Sequence, residues 1–468
     1  MQKKIPLSDM ELVDIDRKYL WHHITNHVKF QHEVPQIIVE GKGCIVKDIH
    51  GREYIDASAG GVWAVNVGYG RKTIADRVSE QMEKLSFFAP TAGNPASLTL
   101  AKKIISILPE FQKVFYTNTG SEANEKAFKM VRQYFRLKYK NKDKYKIVSR
   151  LRDYHGGTFA ALSATGQPER KMGFEPLVPG FLEMSPCYCY RCPFNKRYPD
   201  CDIDCATELE NIIKKEGEDT VGAVILEPIT SGGGILVPPD EYFKIIQEIC
   251  NKYEILMIMD EVVNGFGRTG KMFGHYHFDV KPDIVTIAKG FTSGYVPLSA
   301  FVAKQYLFDQ FITGESDKMG YFRDISTFPG SAAMAAGALE NINIIEGENL
   351  VCNSEKMGNY LLSNMKEFEN FSIVGEVRGK GLIIGIELIE DKTSKIPASE
   401  KIVSQLITEI NKQGVLVGKM TRAMINQNNV IFLAPPLVIS KEEADKVIAS
   451  IRVAIEKVNG VYKKSVTV

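Results

Sequence analysis

No stretch of the chain approaches the ~18 consecutive apolar residues that cross a bilayer. A membrane-spanning helix is therefore not expected. Behind Lys3 and Lys4 there is no apolar core of the kind that a secretory leader carries, so the expected location is cytoplasmic. Net charge is nearly missing as well, 58 basic residues against 57 acidic ones leaving +1. No global field would draw such a chain to nucleic acid or to anionic lipid. Cysteine is sparse, 8 in 468 residues, which excludes the disulfide framework of a small secreted domain. Internal repeats, low-complexity tracts and long flexible linkers are also absent.

What remains is ordinary globular material, 44% hydrophobic and 25% charged. Its length exceeds what one core usually organises, so two lobes are expected. Between residues 114 and 304, apolar or β-branched runs alternate with amphipathic stretches: Val114 to Tyr116, Lys146 to Ser149, Val221 to Leu226, Ile255 to Met259, Ile284 to Ala288 and Ala300 to Ala303. Continuous apolar strands alternating with helices imply an α/β fold with a mostly parallel sheet covered on both faces. After Ser121, residues Ala123, Ala127, Met130, Val131 and Tyr134 recur on one helical face. Cys44 to Tyr54 has the alternation of a hairpin, and Leu382 to Leu388 reads as a strand. The expected organisation is a large domain over residues 66–330, with residues 1–65 and 331–468 forming a smaller α+β domain together.

Ile255 to Gly270 reads ILMIMDEVVNGFGRTG, an apolar strand that runs into two carboxylates and a glycine-rich turn. Two chemistries fit. Gly265 to Lys271 has the GxxxxGK spacing of a phosphate-cradling ATPase loop. Alternatively, Asp260 is a buried carboxylate at the carboxyl end of a parallel strand, holding a cationic ring nitrogen.

Other strand ends bear on the choice. Val114 to Phe128 (VFYTNTGSEANEKAF) ends a strand, turns at Thr119-Gly120 and opens a helix at Ser121, so that free N–H groups and a helix dipole can bind a phosphate. Ser121 could equally be a plain N-cap. Tyr154, beside two glycines in DYHGGT, could lie flat on a planar ligand or serve packing alone, and His155 reads as a hydrogen-bonded packing residue or a base. Lys289 closes an apolar strand in IAKGF, where desolvation would make its amine nucleophilic. A phosphate turn, an aromatic plate, a carboxylate and an amine at successive strand ends suit one ligand, pyridoxal 5′-phosphate. The ATPase alternative is weakened because GFGRTGK follows the acidic strand and Met272 stands where a magnesium-binding Ser or Thr belongs.

GSEANEKA (Gly120 to Ala127), YHGGT (Tyr154 to Thr158), ILEPITSGGG (Ile225 to Gly234), DEVVNGFGRTG (Asp260 to Gly270) and AKGFTSGYVPLSA (Ala288 to Ala300) together resemble the class III pyridoxal-phosphate-dependent aminotransferases. GVWAVNVGYGRK (Gly61 to Lys72) and KMTRAMINQNNVIFLAPPL (Lys419 to Leu437) are similar to the omega-amino acid–pyruvate branch, and WHH (Trp21 to His23) with the cysteine-rich insert resembles its taurine-specific members. The resemblance implies a fold type I transferase with a seven-stranded sheet, acting as a homodimer or a dimer of dimers on small amines and keto acids. It further implies that Lys289 carries the cofactor and Asp260 contacts its ring nitrogen. Val262 would pack under the ring opposite Tyr154, Gly120 and Ser121 would bind the phosphate, and Thr327 would reach the phosphate of a neighbouring subunit. His155 and Glu227 would lie close to the cofactor, Trp63 would line the substrate pocket, and Arg422 would be a mobile cation for a substrate carboxylate. Arg378 is assigned to structure.

Whether the donor carries a carboxylate, a sulfonate or neither stays open, and an aminomutase or racemase with the same cofactor is the alternative. Cys187, Cys189, Cys192, Cys201 and Cys205 cluster in one insert. Cys189, Cys192, Cys201 and Cys205 could enclose zinc, although the CxxxC spacing and the odd fifth thiol suit reduced packing or sensor thiols as well.

Overall fold

A computed structural model describes residues 8–32, 35–312, 318 and 320–466 of the chain. At its centre is a seven-stranded sheet: β1 (Lys113–Thr117), β2 (Lys146–Arg150), β3 (Phe181–Met184), β4 (Val221–Leu226), β5 (Leu256–Asp260), β6 (Ile284–Ile287) and β7 (Ser299–Ala303). Across the sheet they run β1, β7, β6, β5, β4, β2, β3. The strands from β3 to β6 pair in parallel, while β7 is antiparallel to both β6 and β1. The carboxyl ends of β1, β2, β4, β5 and β6 therefore share one edge, where open α/β sheets bind ligands.

The apolar runs feed two cores, one on each face. Ala223, Ile225, Leu256, Ile258, Ile284 and Phe301 pack toward Ala127, Phe128, Val131 and Phe135 of the helix Gly120–Lys138. Their strand neighbours Val224, Leu226, Met257, Met259, Val285 and Val302 belong to the opposite core with Leu209, Ile213, Phe243 and Ile246. Alternate residues thus serve opposite faces, and both are covered. All five residues expected on the apolar face of the helix after Ser121 are buried.

β3 has no counterpart among the expected strands, because its four residues FLEM lie at the sheet edge and are only partly buried. Elsewhere, the hairpin Ile45–Asp48 and Glu53–Asp56 joins a C-terminal strand, Val415 pairing in parallel with Ile55. A third sheet holds Val374–Gly379, Ile384–Leu388, Val430–Leu433 and Gly418–Lys419. No helix among the described residues is long and apolar enough to cross a membrane.

Candidate active site

Four strand ends converge on a cavity of about 300 Å³, bordered by Gly120, Ser121, Tyr154, His155, Asp260, Val262 and Lys289. After β1, the turn enters the helix Gly120–Lys138 with Thr119 as N-cap, its hydroxyl accepting from Glu122 N at 3.2 Å. Ser121 is not the cap. Its Oγ accepts from Gly157 N at 3.1 Å, tying the phosphate-type turn to the Tyr154–Gly157 loop. The first-turn N–H groups of a helix have no intrahelical partner and face the positive end of its dipole, which suits an anion. A Cβ built on Gly120 would stand 3.0 Å from both methyls of Val262, so the absence of a side chain there keeps a flat space open.

Asp260, 2% exposed, ends β5 and is held from three sides. Oδ1 accepts from Val262 N at 3.0 Å, and Oδ2 accepts from Asn124 Nδ2 and faces His155 Nδ1, each at 2.8 Å. Burial opposes the His155 cation, but the hydrogen bond and charge of Asp260 prevail and hold its pKa above the usual imidazole value. His155 Nε2 is buried without a partner among the described residues. The imidazole therefore serves the carboxylate rather than the packing alone.

Lys289 follows β6, half-buried, with a left-handed backbone at φ 44°. Burial pushes its pKa down, against the attraction of Asp260 and Glu227 and with the help of Arg170. Glu227 lies one residue beyond β4 and does not border the cavity. Its Oε1 accepts from Tyr154 N at 2.8 Å and its Oε2 from Ser231 N at 3.0 Å. Burial, then the charges of Asp153 and Asp260, push this carboxyl up to about 8.

Besides Glu227, three expected site residues lie outside the cavity. Thr327 is exposed, beside the exposed Ile325 and Phe328. Trp63 stacks on Phe432 with centroids 4.3 Å apart, at φ 58°. Arg422, at φ 53°, is exposed and donates to Glu169 Oε1 at 3.2 Å. It borders a separate cavity of about 350 Å³ with Asn26, Phe30 and Lys419. Arg378 is structural, as expected, bonding Glu376 and Glu387 at 2.6 and 2.7 Å.

Gly265 to Lys271 does not border the cavity either. Arg268 is buried, donating to Leu382 O, Pro435 O and Asn66 Oδ1, and Lys271 donates to Tyr276 O. Glu261, the second carboxylate of the pair, accepts from Gly274 N, His275 N and His275 Nδ1. The segment is thus spent on tertiary contacts, and the ATPase reading falls.

Cys189, Cys192, Cys201 and Cys205 all border one small cavity, of about 20 Å³. Among the described residues, however, no group of three or more His, Cys, Asp or Glu is placed to hold a metal ion. Burial raises the thiol pKa of Cys187, Cys189 and Cys205, opposite to what a reactive thiol needs. Cys187 Sγ accepts from Arg150 Nη1 at 3.3 Å, and Arg150 in turn bonds Asp153.

Reading the sequence missed Asn124, Asp153 and Arg170. Asn124 also donates to His155 O at 2.6 Å, and its only signal is a polar residue on the apolar face between Ala123 and Ala127. Asp153 accepts from Glu227 N at 3.0 Å and from Arg150, an ion pair with both partners fully buried. Arg170 lies 4.9 Å over the Tyr154 ring.

The sequence model of the family described as Aminotransferase class-III matches residues 28–455. A taurine–pyruvate aminotransferase of Bilophila wadsworthia is 48% identical over 442 residues, 94% of this chain and 96% of that one. The crystal structure of a Bacillus anthracis aminotransferase superposes with a TM-score of 0.91 at 41% identity, covering 96% of this chain and 98% of that one. The omega transaminase of Pseudomonas jessenii in complex with PMP superposes at 0.90 and 34% identity, covering 97% and 99%.

Proposed function

The chain belongs to the class III aminotransferases, and on that footing we propose that it moves the terminal amino group of a taurine- or β-alanine-type donor onto pyruvate, using pyridoxal 5′-phosphate. The observation that carries this reading is the half-buried Lys289 amine facing one cavity with the buried Asp260–His155 pair. The donor and acceptor follow the name of the Bilophila relative, and the cofactor follows the family and the PMP in the Pseudomonas structure.

The residues fit that cofactor. Gly120 and Ser121 would hold its phosphate, Tyr154 and Val262 its two ring faces, Asp260 its ring nitrogen and Lys289 its aldehyde. The flat space kept by Gly120 and the hydrogen bonds that hold the buried Asp260 carboxylate supply the grounds. When bound, the pyridinium ring accepts the electron pair left as the donor carbon loses its proton. Asp260, a buried carboxylate, would favour protonation of that ring nitrogen. Lys289 Nζ, its pKa lowered by burial, is the positioned base that takes and returns the substrate proton. Arg422 would bind the acid group of pyruvate bidentately. In a homodimer Thr327 of the partner subunit would complete the phosphate site; the exposed Ile325, Phe328 and Phe87 support such an interface.

Borohydride reduction of the purified protein in the presence of pyridoxal 5′-phosphate, with mass mapping of the adduct, tests the site: the adduct is expected on Lys289, and one scattered over surface lysines would sink the reading. A donor panel of taurine, β-alanine, γ-aminobutyrate and putrescine with pyruvate tests the substrate. Turnover without any keto acid would favour an aminomutase or racemase instead.

A further inference from the structure

Arg422 and Glu169 touch at one point, Nη1 to Oε1 at 3.2 Å, the arginine side chain being 52% exposed and the glutamate 15%. Glu169, unlike its partner, is fixed. Its Oε2 accepts from Asn428 Nδ2 at 2.7 Å, and its own N donates to Ala423 O at 3.3 Å. Asn428 Oδ1 in turn accepts from Ala423 N and Met424 N, each at 3.1 Å. On the other side Arg170 donates to Thr421 O at 3.1 Å. The backbone around Arg422 is thus pinned at Thr421, Ala423 and Met424, while among the described residues its side chain is held by a single hydrogen bond, outside the cavity that contains Lys289.

We propose that Glu169 is a positioning residue that competes with the substrate's acid group for Arg422, and so sets the balance between acid-bearing and acid-free substrates. This rests on the reading of Arg422 given above. An exposed one-contact ion pair shifts an equilibrium by no more than about fivefold. A carboxylate engaged bidentately by arginine binds more strongly. A keto acid can therefore draw Arg422 off Glu169, whereas an amine without an acid group leaves it parked and its guanidinium out of the pocket. One site can in this way serve both half-reactions.

The test compares Glu169→Gln, Arg422→Ala and the double variant as holoenzymes, with pyruvate and with a neutral primary amine. Glu169→Gln keeps the length of the side chain and an oxygen for Asn428. It is expected to lower KM for pyruvate about two- to fivefold and to raise KM for the neutral amine by a similar factor, with kcat unchanged for both. In the Arg422→Ala background the same substitution is expected to change neither KM, since its effect passes through Arg422. Glu169→Asp, which keeps the charge but shortens the reach, is expected to act in the same direction more weakly, and it serves should Glu169→Gln fail to fold. If Arg422→Ala raises KM for pyruvate while both Glu169 variants leave it unchanged or raise it, the competition is overturned and the reading of Arg422 stands. If Arg422→Ala leaves that KM unchanged, both fall.

Discussion

His155 Nδ1 lies 2.8 Å from Asp260 Oδ2 with both side chains buried, and Asn124 Nδ2 reaches the same oxygen at the same distance. The carboxylate is thereby aimed before any ligand arrives. Hydrogen bonds to charged groups contribute about 1.5–3 kcal/mol, so His155→Ala is expected to reduce kcat/KM by roughly 10- to 100-fold. Asp260→Asn is expected to cost more, since it removes the charge itself. Steady-state kinetics of both variants decide this, and losses under about threefold would detach the pair from the chemistry.

Glu227 has a folded-state pKa of about 8. The unfolded chain releases this proton near the ordinary carboxylate range, ~4.3, and the folded protein keeps it to higher pH. Folding stability is therefore expected to fall as pH rises from about 4.5 to 8. Glu227→Gln should remove this loss, raising the melting temperature of the cofactor-free protein by about 2–4 °C at pH 8 and leaving it unchanged at pH 4.5. A uniform shift at every pH would show that the carboxyl does not titrate as stated.

Gly120→Ala adds one methyl group where a Cβ meets both Val262 methyls at 3.0 Å. Because Gly120 has an ordinary helical backbone, the fold should survive, and the cost should fall on the flat space. The dissociation constant for pyridoxal 5′-phosphate is expected to rise about tenfold or more, as one to three kcal/mol of overpacking implies. Spectrophotometric titration measures it, and unaltered affinity would place the ring elsewhere.

Lys289→Ala should lower turnover by at least about 10²–10⁴-fold, the range of a positioned base. Small alkylamines added to the solution should restore part of the rate, in an order set by their basicity. Absence of any rescue, with the cofactor still bound, would argue against proton transfer by Nζ.

How far the sequence reveals this site depends on how each residue is placed. Asp260 and Lys289 close apolar strands, and Gly120 and Tyr154 follow them within a few residues, so a parallel sheet is enough to gather them at one edge. Glu169 and Arg422 are 253 positions apart and meet only because a short helix packs against a C-terminal loop. No local pattern records that meeting. The strand after Lys289 reads like its parallel neighbours, yet β7 runs the other way; burial on both faces produces the same apolar run in either direction. The cap at Thr119 rather than Ser121 is a shift of two residues within a turn where either hydroxyl could serve.

Lys289, Trp63 and Arg422 all hold left-handed backbones, with φ of 44°, 58° and 53°. For side chains other than glycine each such position costs about 1–2 kcal/mol. A population of variants selected only for resistance to heat would therefore drift toward glycine at these three positions. It would shed the amine, the indole and the guanidinium together, and on the roles proposed above the sturdiest descendants of this chain would be the least able to exchange an amino group.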